Sequence, residues 1–517
     1  MSVLGMIETL PELLAYQAKQ RGDATAFVFE HRTLSYRELD KQANQIANGI
    51  LAEGLMPEAR IAMLSKDSDN GYALLFGSAK ARTVLIGINW RLAAQEILYI
   101  LNQGQAELLF VSADFFGIIE QIRAELITVK KIIALEGQHP EWVSWLEWRE
   151  QHYTSTPGLV YSPDDIVVQM YTSGTTGHPK GVQISNHSFF RLMAGMRAQG
   201  DNWMGLTEND SLLVALPQFH MGGIWWAIQG VIVGAKNILM ATFIAWQALE
   251  LIAKHRITLV EMVPAMLQTA LDEPGVANID LSSVRGLLYG GSPIAPALFK
   301  RALQIFNCDF YQIYGMTETG NMAVCLRPQD HYPLDSPRLM SAGKALPGVD
   351  VCVLDTHNQI LPQGSIGEIC IKSPASSPGY WHNDEANQNT FFNQWIRTGD
   401  VGYLDQDGYV FICDRIKDMI ICGGENIYPA EIEAVLQEHP LVVEAAVIGI
   451  PDERWGESVK AFVVLRNQEK IKQRELINFV RSRIAEFKAP KSIDFVARLR
   501  RNSSGKLLKR ELRAPYW

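Results

Sequence analysis

The chain has 517 residues and a mass of 57.9 kDa, more than one hydrophobic core usually holds, so two or more domains are expected. Hydrophobic residues make up 47% and charged residues 20% of it, a balance that excludes a disordered, collagen-like or membrane-embedded chain. The formal net charge of -9 provides no basic field, so no nucleic-acid partner is expected.

The cysteines and the first residues indicate a reducing compartment. Six cysteines are scattered, with no C-x-x-C pair and no neighbouring histidine at metal spacing, so neither disulfides nor a zinc site are expected. Residues 1–19 lack a basic segment followed by a long apolar one, so export is not indicated. We therefore expect a soluble, cytoplasmic protein.

Residues 222–246 are almost all apolar, and this run is long enough to resemble a membrane span. Lys236 and Asn237 lie near the middle of this run and would be unfavourable by several kcal/mol in lipid. A buried helix, a turn and a strand explain the same run. We expect no transmembrane segment.

Helical patterns alternate with short β-branched runs over the first 410 residues, which predicts an α/β fold with largely parallel sheets. The predicted strands include 60–64, 83–88, 108–112, 131–135, 166–171 and 259–263. From about residue 349 short strands separated by Asp, Asn and Gly turns predict a small β-rich subdomain, with strands at 351–355, 367–372 and 405–411.

A compact αββα unit is predicted at the C-terminal end. Pro429 suits a first helical position, with Glu431 and Glu433 close behind it. The predicted elements are 429–439, 442–450, 459–465 and 472–485. The expected architecture is a large N-terminal domain (1–413) with parallel α/β sheets and the β-rich subdomain, a hinge (414–418), and a small mobile α+β C-terminal domain (419–517).

A loop rich in glycine and hydroxyl side chains follows the predicted strand 166–171. Residues 171–181 read Tyr-Thr-Ser-Gly-Thr-Thr-Gly-His-Pro-Lys-Gly. The two internal glycines let backbone N–H groups approach an anion, the hydroxyls add donors, and Lys180 adds a positive charge. The spacing differs from G-x-x-x-x-G-K-[ST], so this is not the loop of P-loop ATPases. Composition alone would equally suit a surface turn.

The order of these residues resembles the phosphate-loop signature of the adenylate-forming family, which includes acyl-CoA synthetases, aryl-CoA ligases, luciferases and the adenylation domains of peptide synthetases. The chain most resembles acyl-CoA ligases of the fatty-acid and benzoate type. The resemblance implies that the loop binds the phosphates of ATP through Thr172, Ser173, Gly174, Thr175, Thr176, Gly177 and Lys180.

Residues 314–320, Tyr-Gly-Met-Thr-Glu-Thr-Gly, resemble the second signature of the family. By that resemblance Tyr314, next to Gly315, stacks on adenine, Thr317 contacts phosphate, and Glu318 helps to hold Mg2+. A hard cation on an oxygen ligand would screen the charge that a carboxylate and a triphosphate bring together. Upstream, the family's wall of the adenine and acyl pocket is matched by Gly290, Gly291 and Ser292.

Two further matches lie just before and within the expected hinge. Asp400 of Thr398-Gly399-Asp400 would accept hydrogen bonds from the ribose hydroxyls, and Arg415 would reach the ribose. Lys417 would be the position about which the small domain rotates; a solvated basic turn is the alternative interpretation.

The C-terminal domain carries the remaining matches. Gly423 and Gly424 resemble the loop that turns inward for thiol transfer, where glycines let the backbone approach the pantetheine arm. Lys506, in a segment resembling the catalytic-lysine loop, would stabilise charge between the carboxylate and the α-phosphate. Trp455 and Phe487 resemble residues that hold the CoA adenine, although Trp455 also suits a domain-packing surface. Arg500 stands where the family commonly has proline, which would alter loop stiffness.

Residues 217–223 fit the family segment whose histidine, here His220, lines the acyl site. The expected lining is apolar, with no Arg or Lys to pair a second carboxylate. This favours a monocarboxylic acid with a fatty, aryl or alicyclic body. The expected pocket residues are His220, Met221, Gly222, Gly223, Trp225, Met316 and Met322, with Trp226 beside them.

The combined motifs predict an AMP-forming acyl-CoA ligase that uses ATP, Mg2+ and coenzyme A. It would convert a carboxylic acid to acyl-AMP and then to acyl-CoA, with catalytic roles for Lys506, Glu318, Thr317 and His220. An acyl-AMP ligase that loads a carrier protein is the alternative. A non-catalytic nucleotide-binding homologue is disfavoured because the key polar residues are all present. A homodimer is left open.

Overall fold

The computed structural model describes residues 7–172, 179–422, 425–452, 454–466, 471–501 and 507–517. In these ranges the strands form three sheets, of fourteen, eight and five strands, with helices packed against them. The α/β prediction is confirmed, and the sheets are mixed rather than purely parallel.

The helices alternate with strands through the first 310 residues, as the apolar periodicity predicts. The helices of the described ranges are α1 Leu10–Arg21, α2 Tyr36–Ala52, α3 Asp69–Lys80, α4 Ala94–Gln103, α5 Phe116–Ile122, α6 Trp145–Glu150, α7 His187–Ala198, α8 Met221–Val233, α9 Ala245–His255, α10 Pro264–Leu271, α11 Pro296–Phe306, α12 Asp384–Thr390, α13 Pro429–Gln437, α14 Gln473–Arg481 and α15 Lys509–Arg513.

The fourteen-stranded sheet has a parallel half and an antiparallel half. Its strands are β1 Thr25–Phe29, β2 Arg32–Ser35, β10 Ser211–Val214, β11 Lys236–Leu239, β12 Leu259–Met262, β13 Gly286–Gly290, β14 Asp309–Tyr314, β15 Val324–Leu326, β16 Gly343–Ala345, β17 Asp350–Leu354, β18 Gly367–Lys372, β20 Phe391–Phe392, β21 Trp395–Leu404 and β22 Tyr409–Arg415. β1 and β10 to β14 run parallel, and the pairings from β14 to β22 are antiparallel. The predicted β-rich region therefore continues this sheet, because β16 pairs with β22.

The eight-stranded sheet has a parallel centre and one antiparallel edge. Its strands are β3 Arg60–Leu64, β4 Val84–Gly87, β5 Ala106–Ser112, β6 Lys131–Glu136, β7 Val143–Ser144, β8 Ile166–Thr172, β9 Lys180–Ser185 and β19 Gly379–Tyr380. β8 and β9 form a hairpin, and β19 returns from far along the chain to pair with β9. This return brings residue 380 beside the predicted phosphate loop.

The five-stranded sheet lies wholly in the C-terminal part of the chain. Its strands are β23 Ile420–Cys422, β24 Glu425–Ile427, β25 Val442–Asp452, β26 Gly456–Leu465 and β27 Ser492–Phe495. It has its own apolar cluster, which includes Ile432 and Leu436 of α13 and Leu476 of α14. The predicted αββα order is confirmed, and Pro429 is the first residue of α13.

The apolar run 222–246 forms most of α8, a turn at Gly234, β11 and the start of α9. Gly234 has φ +79°, the left-handed conformation in which helices commonly end. No helix in the described ranges is long and apolar enough to cross a membrane. The interpretation as a buried helix, a turn and a strand is confirmed.

Candidate active site

The predicted phosphate loop is anchored by the β8–β9 hairpin. Thr172 ends β8 and faces Lys180, the first residue of β9, across an antiparallel pair. The predicted residues Ser173, Gly174, Thr175, Thr176 and Gly177 lie outside the described residues. Both anchors of the loop are therefore fixed in one sheet.

The side chains of Lys180 and Glu318 both contact Tyr380, a residue that the sequence analysis missed. The Lys180 Nζ atom lies 5.2 Å from the centroid of the Tyr380 ring. The Tyr380 hydroxyl donates a hydrogen bond of 2.7 Å to Oε1 of Glu318. Tyr380 is in β19, and Glu318 is in the turn Thr317–Thr319 that follows β14. The first two predicted motifs thus come together at one place.

The surrounding backbone holds Glu318 in position. The Ser377 amide donates to the Glu318 carbonyl at 2.8 Å, and the Glu318 side chain is only 4% exposed. Gly320 has φ +77°, and a Cβ there would lie 2.4 Å from the Ala375 carbonyl oxygen, so this turn requires glycine. Burial, and then the nearby Glu318 charge, raise the pKa of Tyr380 well above its usual range. The hydroxyl therefore remains a donor at neutral pH.

The carboxylate of Asp400 is contacted by the side chains of both Tyr314 and Arg415. The Tyr314 hydroxyl donates to Oδ2 of Asp400 at 2.7 Å, and Nε of Arg415 lies 2.6 Å from Oδ1. Asp400 on β21 is paired in register with Arg415 on β22, and the Asp400 amide donates to Thr398 Oγ1 at 3.1 Å. The three residues assigned to adenine and ribose are thus brought together, with Asp400 oriented from two sides.

Three predicted nucleotide-site glycines, Gly290, Gly291 and Gly315, lie at positions with restricted space or a left-handed backbone. A Cβ on Gly290, at the end of β13, would lie 2.7 Å from the Ile313 carbonyl oxygen of β14. A Cβ on Gly315 would lie 2.2 Å from the Asn321 carbonyl oxygen, and Gly291 has φ +79°. Ser292, next to Gly291, is half-buried. A side chain at Gly290 or Gly315 would push the neighbouring segments apart, whereas at Gly291 it would strain the backbone.

Five of the seven predicted acyl-site residues lie at the start of α8. His220 is the N-cap residue and Met221 the first helical residue. A Cβ on Gly223 would lie 2.3 Å from the Leu216 carbonyl oxygen, so the first turn of the helix packs directly on the preceding backbone. Met322 is fully buried and Met316 half-buried.

The two tryptophans of this run are held by the core. The Trp226 indole N–H donates to the Leu213 carbonyl of β10 at 3.0 Å. Trp225 packs edge-on against Trp203, with ring centroids 5.6 Å apart. Both are 1% exposed. Trp226 therefore secures α8 to the sheet, and Trp225 extends the apolar layer beneath the predicted pocket.

Two polar side chains, the buried Glu261 and the half-buried Asn321, interrupt the apolar lining that the sequence predicts. Oε1 of Glu261 lies 3.5 Å, and Oδ1 of Asn321 lies 4.0 Å, from the position that a Cβ of Gly222 would occupy. Glu261 lies within the apolar run of β12, and the sequence analysis did not assign it to the site. A charged residue at a fully buried position of a parallel strand was the signal that could have identified it.

The predicted hinge, residues 414–418, makes hydrogen bonds and an ion pair to two helices, α13 and α15. Lys417 lies in a single turn, Ile416–Asp418, directly after β22. Oδ2 of Asp414 accepts a hydrogen bond from the Ala430 amide in the first turn of α13 at 2.8 Å. The Arg513 guanidinium donates to the Lys417 carbonyl at 2.7 Å and pairs with Asp418 at 3.1 Å. The chain therefore leaves β22 and is tied at once to α13 and α15.

The aromatic residues assigned to coenzyme A are accessible. Trp455 is 42% and Phe487 51% exposed, high for such apolar rings. The Arg454 guanidinium lies 4.8 Å from the centroid of Trp455, and the Lys491 Nζ atom lies 6.0 Å from it. Gly423, Gly424 and Lys506 lie outside the described residues.

Replacing Tyr380 by phenylalanine tests the contact between the two motifs. The change removes the donor to Glu318, and a hydrogen bond to a charged group contributes about 1.5–3 kcal/mol. We expect acid-dependent ATP–pyrophosphate exchange to slow by about 10- to 100-fold. Tyr409→Phe removes a tyrosine–carboxylate bond of the same 2.7 Å length, to Asp330, and should leave exchange unchanged. Equal loss in both variants would contradict a specific role for Tyr380.

Comparisons with known proteins place this geometry in a family. The family model of the AMP-binding enzymes matches residues 14–381, and the model of the AMP-binding enzyme C-terminal domain matches residues 431–506. The chain therefore belongs to the AMP-binding enzyme family and is an adenylate-forming ligase.

Individual relatives match over nearly the whole chain. It is 43% identical over 512 residues to the fatty acid–[acyl-carrier-protein] ligase ScoC of Streptomyces coeruleorubidus, covering 99% of this chain and 97% of that protein. It is 34% identical to the long-chain-fatty-acid–CoA ligase FadD13 of Mycobacterium tuberculosis, covering 93% of each. The crystal structure of the anthranilate CoA ligase AuaEII with anthranoyl-AMP is 28% identical and superimposes with a TM-score of 0.89, covering 98% and 97% of the two chains.

Proposed function

We propose that the chain is an ATP-dependent, AMP-forming acid–thiol ligase that activates an apolar monocarboxylic acid as its acyl-adenylate and transfers the acyl group to coenzyme A. The observation that carries the proposal is the convergence of Lys180, Tyr380 and Glu318, three residues from distant segments, next to the loop expected to hold phosphate. The relatives named as ligases support the same reaction class.

Among the described residues, two clusters of side chains would bind different parts of the nucleotide. The Thr172–Lys180 hairpin supplies hydroxyl and ammonium donors for the phosphates. Tyr314 offers an aromatic face, and Asp400 and Arg415 offer an acceptor and a donor for the ribose hydroxyls. Arg415 pairs with Asp400 in this structure, so it holds the carboxylate in place for the nucleoside.

Glu318 suits a magnesium-bound substrate. Mg2+ prefers oxygen ligands and commonly uses one or two carboxylates together with waters and substrate phosphates, and Glu318 presents a buried carboxylate beside the phosphate loop. When bound, the ion would screen phosphate charge. Tyr380 orients that carboxylate, and Thr317 stands one residue before it.

The proposed order of events depends on a movement of the C-terminal unit. Lys506 stabilises the charge that develops as the carboxylate attacks the α-phosphate and pyrophosphate leaves. The unit 419–517 then rotates about the hinge 414–418 relative to the unit 1–413, and the loop with Gly423 and Gly424 replaces Lys506 at the acyl-adenylate. The separate sheet and apolar cluster beyond residue 419 support this division.

A carrier protein is the second candidate for the thiol acceptor. The 43% identity to a ligase named for an acyl-carrier-protein favours it, whereas the exposed Trp455 and Phe487 suit an adenine ring.

Six free cysteines in the described residues suit a reducing compartment, in line with a cytoplasmic enzyme. Analytical ultracentrifugation distinguishes a monomer from a homodimer.

Acid-dependent ATP–pyrophosphate exchange tests the first half-reaction. A panel of fatty, aryl and alicyclic acids with ATP and Mg2+ should include acids that support exchange and that yield a hydroxamate when hydroxylamine is added. Absence of exchange with every acid, in a folded protein that binds ATP, would overturn the proposed function.

A leucine at Gly424 tests the second half-reaction. A bulky side chain should narrow the approach of the pantetheine arm and slow thioester formation by about tenfold or more, while pyrophosphate exchange stays within about twofold. Gly117→Leu is the matched control, because a Cβ at Gly117 meets no atom within 4 Å. Equal loss in both half-reactions would contradict the assignment of Gly424.

A further inference from the structure

Glu261 is a buried acidic residue inside a strand of the large sheet. It is the third residue of β12 and is 4% exposed. Its Oε1 atom and Oδ1 of Asn321 both lie within 4.0 Å of the position that a Cβ of Gly222 would occupy. The space beside Gly222 is therefore bordered by two polar side chains.

Both side chains have unused hydrogen-bonding atoms. Among the residues that the structure describes, Oε2 of Glu261 and Nδ2 of Asn321 are buried without a hydrogen-bond partner. Buried polar groups are nearly always bonded, and exceptions commonly mark a functional site. Burial also raises the pKa of the Glu261 carboxyl well above its usual range. An apolar residue would be more stable at such a position, so packing does not account for Glu261.

The pair lies where the elements of the proposed site meet. Gly222 belongs to the first turn of α8, and Asn321 closely follows the turn that carries Glu318. Two residues after Glu261, Cγ1 of Val263 lies 3.6 Å from the Cβ position of Gly291. In sheets of parallel strands, ligands bind at the carboxyl ends of the strands, which is where β12 and β13 end.

We propose that Glu261 and Asn321 bind an amino or hydroxyl group carried by the acyl body of the acid, so that the enzyme selects substituted over unsubstituted monocarboxylic acids. The inference rests on the proposed function and refines its substrate class. A hydroxyl group can donate to the Asn321 or Glu261 oxygens and accept from the Asn321 amide. An ammonium group would in addition supply the counter-charge that a buried Glu261 carboxylate lacks.

Other substituents fit these two residues less well. A second carboxylate would face Glu261 and be repelled by it, or would force it to remain protonated. A wholly apolar acid would leave the polar atoms unpaired, and sites built to hydrogen-bond a substrate discriminate strongly against analogues that lack the group. The selectivity should therefore be measurable as a ratio between matched acids.

The test compares octanoic acid with its hydroxy- and amino-substituted derivatives at successive carbons. The readout is the ratio of kcat/KM for pyrophosphate exchange, substituted over unsubstituted, because this ratio cancels general losses of activity. In the wild type we expect a ratio of about ten or more for at least one substituent position. Binding of the same acid with ATP should also give a larger thermal shift than octanoic acid.

Two variants separate selectivity from folding. Glu261→Leu should lower the ratio by about tenfold or more, whatever its absolute rate with octanoic acid. Glu261→Gln keeps a donor and an acceptor, so it should preserve selection of a hydroxyl group and lose selection of an amino group. Gln229→Leu removes a buried polar side chain on the same helix as Gly222, about 10 Å further along it, and should leave the ratio unchanged.

The outcomes are distinguishable from failure of the proposed function. If octanoic acid and all its derivatives are adenylated and Glu261→Leu leaves the ratio within about twofold of the wild type, the assignment of Glu261 is wrong while the ligase stands. A wild type that prefers octanoic acid over every derivative would overturn the assignment of Glu261 in the same way. If no acid of any class supports exchange, the proposed function itself fails.

Discussion

Replacement of Lys506 by alanine is expected to slow acid-dependent pyrophosphate exchange by about 100- to 1,000-fold, because it removes a charge that stabilises the transition state of adenylation. Attack of the thiol on acyl-AMP supplied from outside should proceed at nearly the wild-type rate. The measurement is exchange for the first half-reaction and thioester formation from synthetic acyl-AMP for the second.

Arg510→Ala is the matched control for Lys506. Arg510 is exposed on α15, and its replacement removes one positive charge from the same end of the chain, so the exchange rate should remain normal. Normal exchange in Lys506→Ala would refute the role assigned to Lys506. Equal loss in both half-reactions would indicate damage to the C-terminal unit rather than loss of a catalytic charge.

Replacement of Glu318 by glutamine is expected to slow exchange by about 100-fold and to raise the Mg2+ concentration needed for half-maximal rate. The amide keeps the size of the side chain and can still accept from Tyr380, but it loses the charge that would attract the cation. Titration of Mg2+ at saturating ATP and acid gives both quantities.

Glu53→Gln is the control for Glu318. Glu53 is a partly exposed carboxylate that accepts from an aromatic donor, the Trp148 indole, at 2.9 Å, and it follows α2. Its replacement should leave the Mg2+ dependence unchanged. An unaltered Mg2+ dependence in Glu318→Gln, whatever its rate, would contradict the assignment of Glu318 to the metal.

Much of the fold could be predicted because its central strands are short apolar runs. Residues 60–64 form β3 with the predicted bounds, and every residue of it is buried, as expected for a parallel strand covered on both faces. The region 405–411 was predicted less well. Asp405 accepts the amides of Asp407 and Tyr409 in a turn, so β22 begins only at Tyr409.

The joining of the two regions of the large sheet could not be predicted from the sequence. The pairing of β16 with β22 connects short strands about 65 residues apart, and long-range pairing leaves no local pattern. For the same reason β23, β24 and β27, strands of three or four residues, were missed. Local periodicity predicts elements, whereas their partners depend on tertiary contacts.

The candidate site shows the same limit. The motifs around Glu318, Asp400 and Arg415 could be identified by residue order, and the structure brings Tyr314, Asp400 and Arg415 together as the resemblance implies. Tyr380 was missed because it reaches Glu318 only through the pairing of β19 with β9, nearly 200 residues away along the chain. Glu261 was missed because the sequence alone does not show that this charged residue of an apolar run is buried.

Formation of the thioester itself tests whether this protein is an acid–coenzyme A ligase. The protein is incubated with ATP, Mg2+ and an acid that supports exchange, and AMP and thioester are quantified with coenzyme A, with a phosphopantetheinylated carrier protein, and with neither. We expect AMP and acyl-CoA in equal amounts only when coenzyme A is present. Accumulation of acyl-AMP that coenzyme A does not discharge, with transfer to the carrier protein instead, would contradict it.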